Sequence, residues 1–202
     1  MPDELVHVPI GVAGDELRML QPRESAELPD AGGVEWAPLA PYWSVLWRSG
    51  VELARELDGA ALRGRRVLEL GCGLAVPSIT AARAGALVLA TDACAEALTL
   101  AARNAHANGV TIETSRVEWS EPGEIIERAP FDVVLAADVL YEAASVPLLL
   151  ALLPRLAPVA WLADPGRPGA DLFLEQADPA WSVESRVRGV VRIHRLAMNG
   201  SD

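Results

Sequence analysis

The sequence contains no lysine: all 17 of its cationic side chains are arginines, set against 28 acidic ones for a formal net charge of −11 at pH 7. The arginines are scattered, so no basic face is offered to a phosphate backbone, and nucleic acid is not an expected partner. Self-modification on a lysine side chain is ruled out. Cysteine is scarce as well. Cys72 and Cys94 lack metal-ligand spacing and are read as reduced thiols, which suits a cytoplasmic protein; no metal site is expected. The longest apolar stretch, residues 146–153, is interrupted by Pro147 and too short to span a bilayer, so no membrane role is expected. The N-terminal residues lack the basic-plus-apolar pattern of a secretory leader.

What is present is a globular composition, 51% hydrophobic and 22% charged. Residues 1–40 read as an N-terminal extension. Two short strand-like pieces, 5–10 and 16–20, flank a turn containing glycine and suggest a hairpin; the remainder reads as irregular lead-in. Residues 41–202 show no linker or internal repeat and read as one domain. Apolar residues at helical spacing predict a helix over 42–57, with Trp43 and Trp47 on its apolar face. Strand-like and helix-like segments then alternate: strands at 66–70, 86–92, 110–117, 131–137 and 159–163, helices at 74–83, 95–107 and 146–156. Such alternation implies parallel strands with right-handed crossovers, an α/β sheet. The tail breaks the rhythm, because 181–188 and 190–197 join around Gly189 as a terminal antiparallel hairpin.

The organising stretch is residues 66–73, RVLELGCG. A strand buried on both faces runs directly into Gly71 and Gly73, and Pro77 fits the first turn of the helix that follows. A turn without side chains lets backbone N–H groups approach a nucleotide-like ligand; a tight turn with no ligand is the plainer alternative. Asp92 ends the second strand at about the 20-residue offset where a carboxylate accepts ribose hydroxyls, although it could equally cap the helix that begins at Ala95. A dinucleotide is disfavoured, since Val76 stands where G-x-G-x-x-G has its third glycine.

Glu69-Leu70-Gly71-Cys72-Gly73 resembles the first motif of the seven-stranded, S-adenosylmethionine-dependent methyltransferases, in which an acidic residue precedes the glycines and a last strand is inserted antiparallel. That resemblance implies a Rossmann-like, mostly parallel sheet with a C-terminal antiparallel hairpin. It also implies that Gly71 and Gly73 let the chain pass the amino-acid part of the cofactor while Asp92 holds the ribose. Leu74 departs from it, where a third glycine is common.

A narrower resemblance covers roughly 41–170. The segments YWSVLW (42–47), VEWS (117–120), ADVLY (137–141) and ADPGR (163–167) are together similar to the protein lysine methyltransferases of the group that includes the enzyme for the electron-transfer flavoprotein β subunit. This implies that Trp47, with Trp43 a turn earlier, borders the cofactor pocket. Trp119 would pack near the adenine, Glu118 would accept its amino group, and Ala137 would allow close approach beside Asp138. Asp138 and Tyr141 would border the methyl acceptor, a protein lysine or a small amine, and the Asp138 carboxylate would orient it. Arg167, in a turn at the ligand edge, could contact a carboxylate or the substrate backbone. His106 and His194 read as surface or packing histidines. A nicotinamide-dependent oxidoreductase and a cofactor-binding module without turnover remain as alternatives.

Overall fold

Parallel strands need cover on both faces, and this chain supplies it in turn. The computed structural model describes residues 4–12, 14–26, 41–177, 179 and 181–199. The segment read as irregular lead-in before residue 41 lies, from 27 on, outside them. An antiparallel hairpin comes first, β1 (Leu5–Val12) and β2 (Asp15–Pro22), followed by the single turn α1 (Arg23–Ala26). After a 3-10 turn at Tyr42–Ser44 come α2 (Arg48–Glu56), β3 (Arg66–Leu70), α3 (Val76–Arg83), β4 (Leu87–Asp92), α4 (Ala95–Ala107) and β5 (Glu113–Arg116). Next are α5 (Gly123–Glu127), β6 (Val133–Ala137), α6 (Ser145–Leu156), β7 (Val159–Asp164) and α7 (Pro168–Gln176), then the closing pair β8 (Trp181–Arg188) and β9 (Val191–Met198).

Seven strands form one sheet in the order β5-β4-β3-β6-β7-β9-β8. The first five are parallel, and β9 runs antiparallel to both β7 and β8. This is the α/β, mostly parallel sheet with a terminal hairpin that the sequence predicts. Alternation along the strands divides the core: Val67, Val133 and Leu135 join the cluster on one face, while Leu68, Leu70, Val134 and Ala136 join the other. From β3 the chain builds outward through β4 to β5, then returns to place β6 on the opposite side of β3. This reversal opens a crevice at the carboxyl ends of β3 and β6.

The predicted helix over 42–57 is shorter than its apolar spacing suggests. In a continuous helix the Tyr42 carbonyl would accept the N–H of Leu46. Here it accepts the Val45 N–H and, at 2.9 Å, the Trp47 indole N–H. Val45 is extended, Trp47 becomes the N-cap of α2, and Trp43 and Trp47 therefore precede the helix and do not lie on its face. The third strand is also short. The Val110 N–H is held by the Ala105 carbonyl, so the first residues of 110–117 close α4 and only Glu113–Arg116 pair with β4. The sequence pattern marks neither α5 nor α7: α5 has only five residues, and α7 opens at Pro168, directly after the turn at 164–167.

The β1–β2 hairpin packs on α4 and buries Ile10, Val12, Leu17 and Met19 in the core of that sheet face. Its attachment is polar. Asn104 and Asn108, one turn apart on α4, offer β2 two amides in place of another strand. The Leu20 N–H donates to Asn104 Oδ1 at 2.6 Å and the Arg18 N–H to Asn108 Oδ1 at 2.9 Å, and each side-chain amide donates back to the same residue's carbonyl. Asn104 Nδ2 also lies 3.2 Å from the Leu74 carbonyl, which ties the hairpin to the glycine turn. Asn104 is fully buried. Asn104→Leu is therefore expected to cost roughly 2–4 kcal/mol, because it orphans two carbonyls and an N–H, whereas Asn108→Ala at the more exposed end should cost about 1 kcal/mol. Urea unfolding midpoints at unchanged slope measure both.

Candidate active site

The crevice is a cavity of about 320 Å³, at the small end of the range for ligand pockets. Trp43, Trp47, Glu69, Gly71, Cys72, Gly73, Asp92, Glu118, Trp119, Ala137, Asp138 and Tyr141, all singled out from the sequence, line it together. They come from the ends of β3, β4, β5 and β6 and from the segment before α2.

The floor is the glycine turn. Gly71 and Gly73 both have positive φ, +65° and +48°. A Cβ on Gly71 would stand 3.0 Å from Val139 Cγ1 and 3.6 Å from the Trp119 ring, and one on Gly73 would stand 3.1 Å from the Trp43 carbonyl oxygen. Both the backbone conformation and the space therefore require glycine. Asp92 fastens this turn to β4. Its Oδ2 accepts the Gly73 N–H at 3.0 Å and its Oδ1 the Cys94 N–H at 2.9 Å. The carboxylate makes no side-chain cap to α4, and it keeps lone pairs on both oxygens. Burial raises its pKa, and the backbone N–H groups of Cys94, Gly73 and Ala93 oppose that rise.

Glu69 lies beneath the turn, 2 % exposed. Its Oε2 accepts the Ser78 N–H at 2.9 Å and the Ser78 hydroxyl. Burial nonetheless pushes its pKa up to about 8, with the Asp92 charge adding to the rise and the two Ser78 hydrogen bonds opposing it. Ser78 escaped notice in the sequence because nothing in its spacing marks it as a partner of residue 69. Burial also raises the pKa of the Cys72 thiol well above its ordinary value, which keeps it protonated.

The far wall carries different chemistry. Asp138 follows β6 with a left-handed backbone, φ +57°, a conformation that Asp tolerates better than most residues. Its N–H is held by the Ala163 carbonyl at 2.9 Å. The buried carboxylate is gripped by Arg167, whose Nη2 donates to Oδ1 at 3.0 Å and Nε at 3.4 Å. The Arg167 guanidinium also sits over the Trp47 ring, 5.9 Å from its centroid. Tyr141 is 46% exposed at the rim, its ring 5.2 Å from that of Tyr42. The carboxylate contact foreseen for Arg167 is thus made within the chain, to Asp138. Glu118 is half exposed and 3.7 Å from Arg116, and Trp119 packs on the core face beside Gly71. His106 and His194 do not line this cavity; His194 is buried, with Nδ1 2.7 Å from the Ser185 hydroxyl. Among the described residues no group of three His, Cys, Asp or Glu side chains could hold a metal ion, and no helix is long and apolar enough to cross a membrane.

Fold and cavity together define an open α/β protein with a nucleoside-sized site at its switch point. The sequence signature of the lysine methyltransferase family matches residues 42–160, more than half of the chain, and the chain belongs to that family. It is 32% identical over 120 residues to the protein N-lysine methyltransferase METTL21A of Danio rerio, covering 56% of this chain and 55% of the relative. To the electron transfer flavoprotein beta subunit lysine methyltransferase of Mus musculus it is 30% identical over 138 residues, covering 63% and 49%. The chain spans about half the length of these curated relatives. Among solved structures, the T. thermophilus 16S rRNA N2 G1207 methyltransferase in complex with AdoMet and guanosine shares the fold, with a TM-score of 0.68 at 18% identity over 98% of this chain and 52% of the other.

Glu69 makes stability depend on pH with a definite sign. Its pKa is raised on folding, so its contribution is intact below the ordinary carboxylate range and is lost as pH climbs through about 8. Between pH 5 and pH 9 the wild type should lose stability on the order of a few kcal/mol more than Glu69→Gln, read as the difference between their urea midpoints at each pH.

Proposed function

We propose that this chain is an S-adenosylmethionine-dependent N-methyltransferase whose acceptor is the side-chain amine of a lysine in a protein. The observation that carries this reading is the pairing, across one cavity, of a glycine turn fastened by Asp92 with a wall of Asp138, Tyr141 and the Trp47 ring. The family and the relatives named above support it. So does the floor, where Gly71 and Gly73 hold a left-handed turn tight against Val139, Trp119 and the Trp43 carbonyl.

S-Adenosylmethionine supplies an electrophilic methyl group on a sulfonium, so the protein needs no nucleophile of its own. Its residues align and exclude. Asp92 takes the ribose hydroxyls on its free lone pairs, Trp119 and Glu118 receive the adenine, and Glu69, Cys72, Gly71 and Gly73 form the floor under the amino-acid part. Ala137, with its small side chain, leaves room beside the reacting centre. Asp138 accepts a hydrogen bond from the acceptor amine and points its lone pair along the line of transfer. The amine, ordinarily charged below a pH of about 10.4, must shed its proton to attack, and a dry aromatic pocket favours the neutral form. The rings of Tyr141 and Trp47 stabilise positive charge as it spreads onto nitrogen, worth about 0.5–2 kcal/mol each. With an excess of acidic residues and scattered arginines, a nucleic-acid acceptor finds no basic track. Two free, separated thiols suit a reducing, cytoplasmic setting.

Calorimetry with S-adenosylhomocysteine should show binding by the wild type and at least tenfold weaker binding by Asp92→Ala, since a charge-assisted contact to two hydroxyls is lost. Binding of NAD in its place would support the oxidoreductase. Asp138→Ala should keep S-adenosylhomocysteine affinity within about twofold while lowering methyl transfer at least tenfold, the scale on which misalignment of reactants acts. Transfer is read by mass spectrometry of extract proteins incubated with labelled S-adenosylmethionine. Label on a small amine only would replace the protein acceptor; tight cofactor binding with no label anywhere would leave a binding module.

A further inference from the structure

The acceptor wall already contains a cation, and it belongs to the chain. Arg167 is only 14 % exposed, hydrogen-bonded to Asp138 and stacked over Trp47, so its guanidinium fills the position between acid and aromatic face that an incoming amine would need. A second buried carboxylate stands beside it. Asp164 spends Oδ1 on the backbone N–H groups of Gly166 and Arg167, at 2.6 Å and 2.5 Å. Its Oδ2, fully enclosed, has no hydrogen-bond partner and lies 3.9 Å from Arg167 Nε. An unpaired buried carboxylate oxygen is costly, and here one guanidinium stands between two buried carboxylates.

We propose that Arg167 is a resident stand-in for the acceptor's cation: an amine that takes Asp138 Oδ1 moves the guanidinium onto the free oxygen of Asp164, so that each carboxylate then has its own partner. The inference rests on the amine-methylation reading above and names how that site selects its acceptor. The exchange needs no backbone movement, because the Arg167 N–H remains anchored on Asp164 Oδ1 while only the side chain shifts. It confers selectivity, since an acceptor that cannot displace a hydrogen-bonded guanidinium from Asp138 is refused, and an anionic group is a poor replacement for it. Asp164 is a positioning residue in this scheme and does not touch the acceptor.

The test is a double-mutant cycle on protein saturated with S-adenosylhomocysteine, using n-butylammonium chloride as a mimic of a lysine side chain and calorimetry as the readout. Arg167→Gln should bind the probe at least tenfold more tightly than wild type, because nothing has to be displaced. Asp164→Asn retains the Oδ1 acceptor but offers a poorer second seat, and should bind it at least threefold more weakly. In the double variant the Asp164→Asn effect should vanish, leaving the affinity of Arg167→Gln. Unchanged S-adenosylhomocysteine affinity in each variant certifies the fold. An Arg167→Gln protein that binds butylammonium no better than wild type, including the case in which neither binds it, overturns the proposal, as does an Asp164→Asn effect that persists without Arg167. Failure of the wild type to bind S-adenosylhomocysteine is a separate result and would sink the methyltransferase reading itself.

Discussion

The carboxylate of Asp92, bridging the Gly73 and Cys94 N–H groups, is the contact on which the site depends. The turn after β3 passes through two left-handed glycines and a left-handed Ala75, and it buries Cys72, Leu74 and Ala75 in the core. Polar contacts fix its path as well. Asp92 pulls it toward β4, the Cys72 N–H reaches the Thr91 carbonyl at 2.9 Å, and Asn104 holds the Leu74 carbonyl from below. Held this way, the turn runs along the cavity, with Gly71, Cys72, Gly73, Leu74 and Ala75 all among its lining residues.

The two walls of the cavity differ in how their charge is compensated. Near the turn, buried Glu69 and half-buried Asp92 are held by N–H and hydroxyl donors, and among the described residues no cation is paired with either; burial raises the pKa of both. At the opposite wall Asp138 has a full ionic partner in Arg167. An acid held only by dipoles has no counter-charge of its own, whereas an acid paired with an arginine is already neutralised.

Much of this was legible in the sequence, for a physical reason. Central parallel strands are short continuous apolar runs, and α4 announces itself by a long alanine-rich pattern ended by Asn108-Gly109, so their limits fall close to where the pattern puts them. The glycines and the acid at the end of β4 stand out because few other residues can occupy those backbone positions. What stayed hidden was decided by contacts distant in sequence or by competition for a single carbonyl. Apolar spacing over 42–57 suggested one helix, but the Trp47 indole claims the Tyr42 carbonyl that such a helix would need. Asn104 looked like one more polar position on a helix, and only the docked hairpin gives it a task. The left-handed Asp138 and the grip of Arg167 upon it arise from the meeting of the β6 and β7 ends, which no local pattern encodes.

The extent of the family match bears on this division. It runs from residue 42 to 160 and so takes in the glycine turn, Asp92, Trp119, Asp138 and Tyr141, yet stops short of Asp164 and Arg167. The glycine-turn wall therefore lies wholly within the matched span, while the opposite wall joins Asp138 and Tyr141, inside that span, to the turn at 163–167 that follows its end. In an open α/β sheet the loops at the carboxyl ends of the strands can change without disturbing the strands that carry them. The β7–α7 turn places one arginine between two carboxylates, and the segment before α2 links it to the glycine turn: Trp47 lies under the Arg167 guanidinium, and the Trp43 carbonyl stands against Gly73.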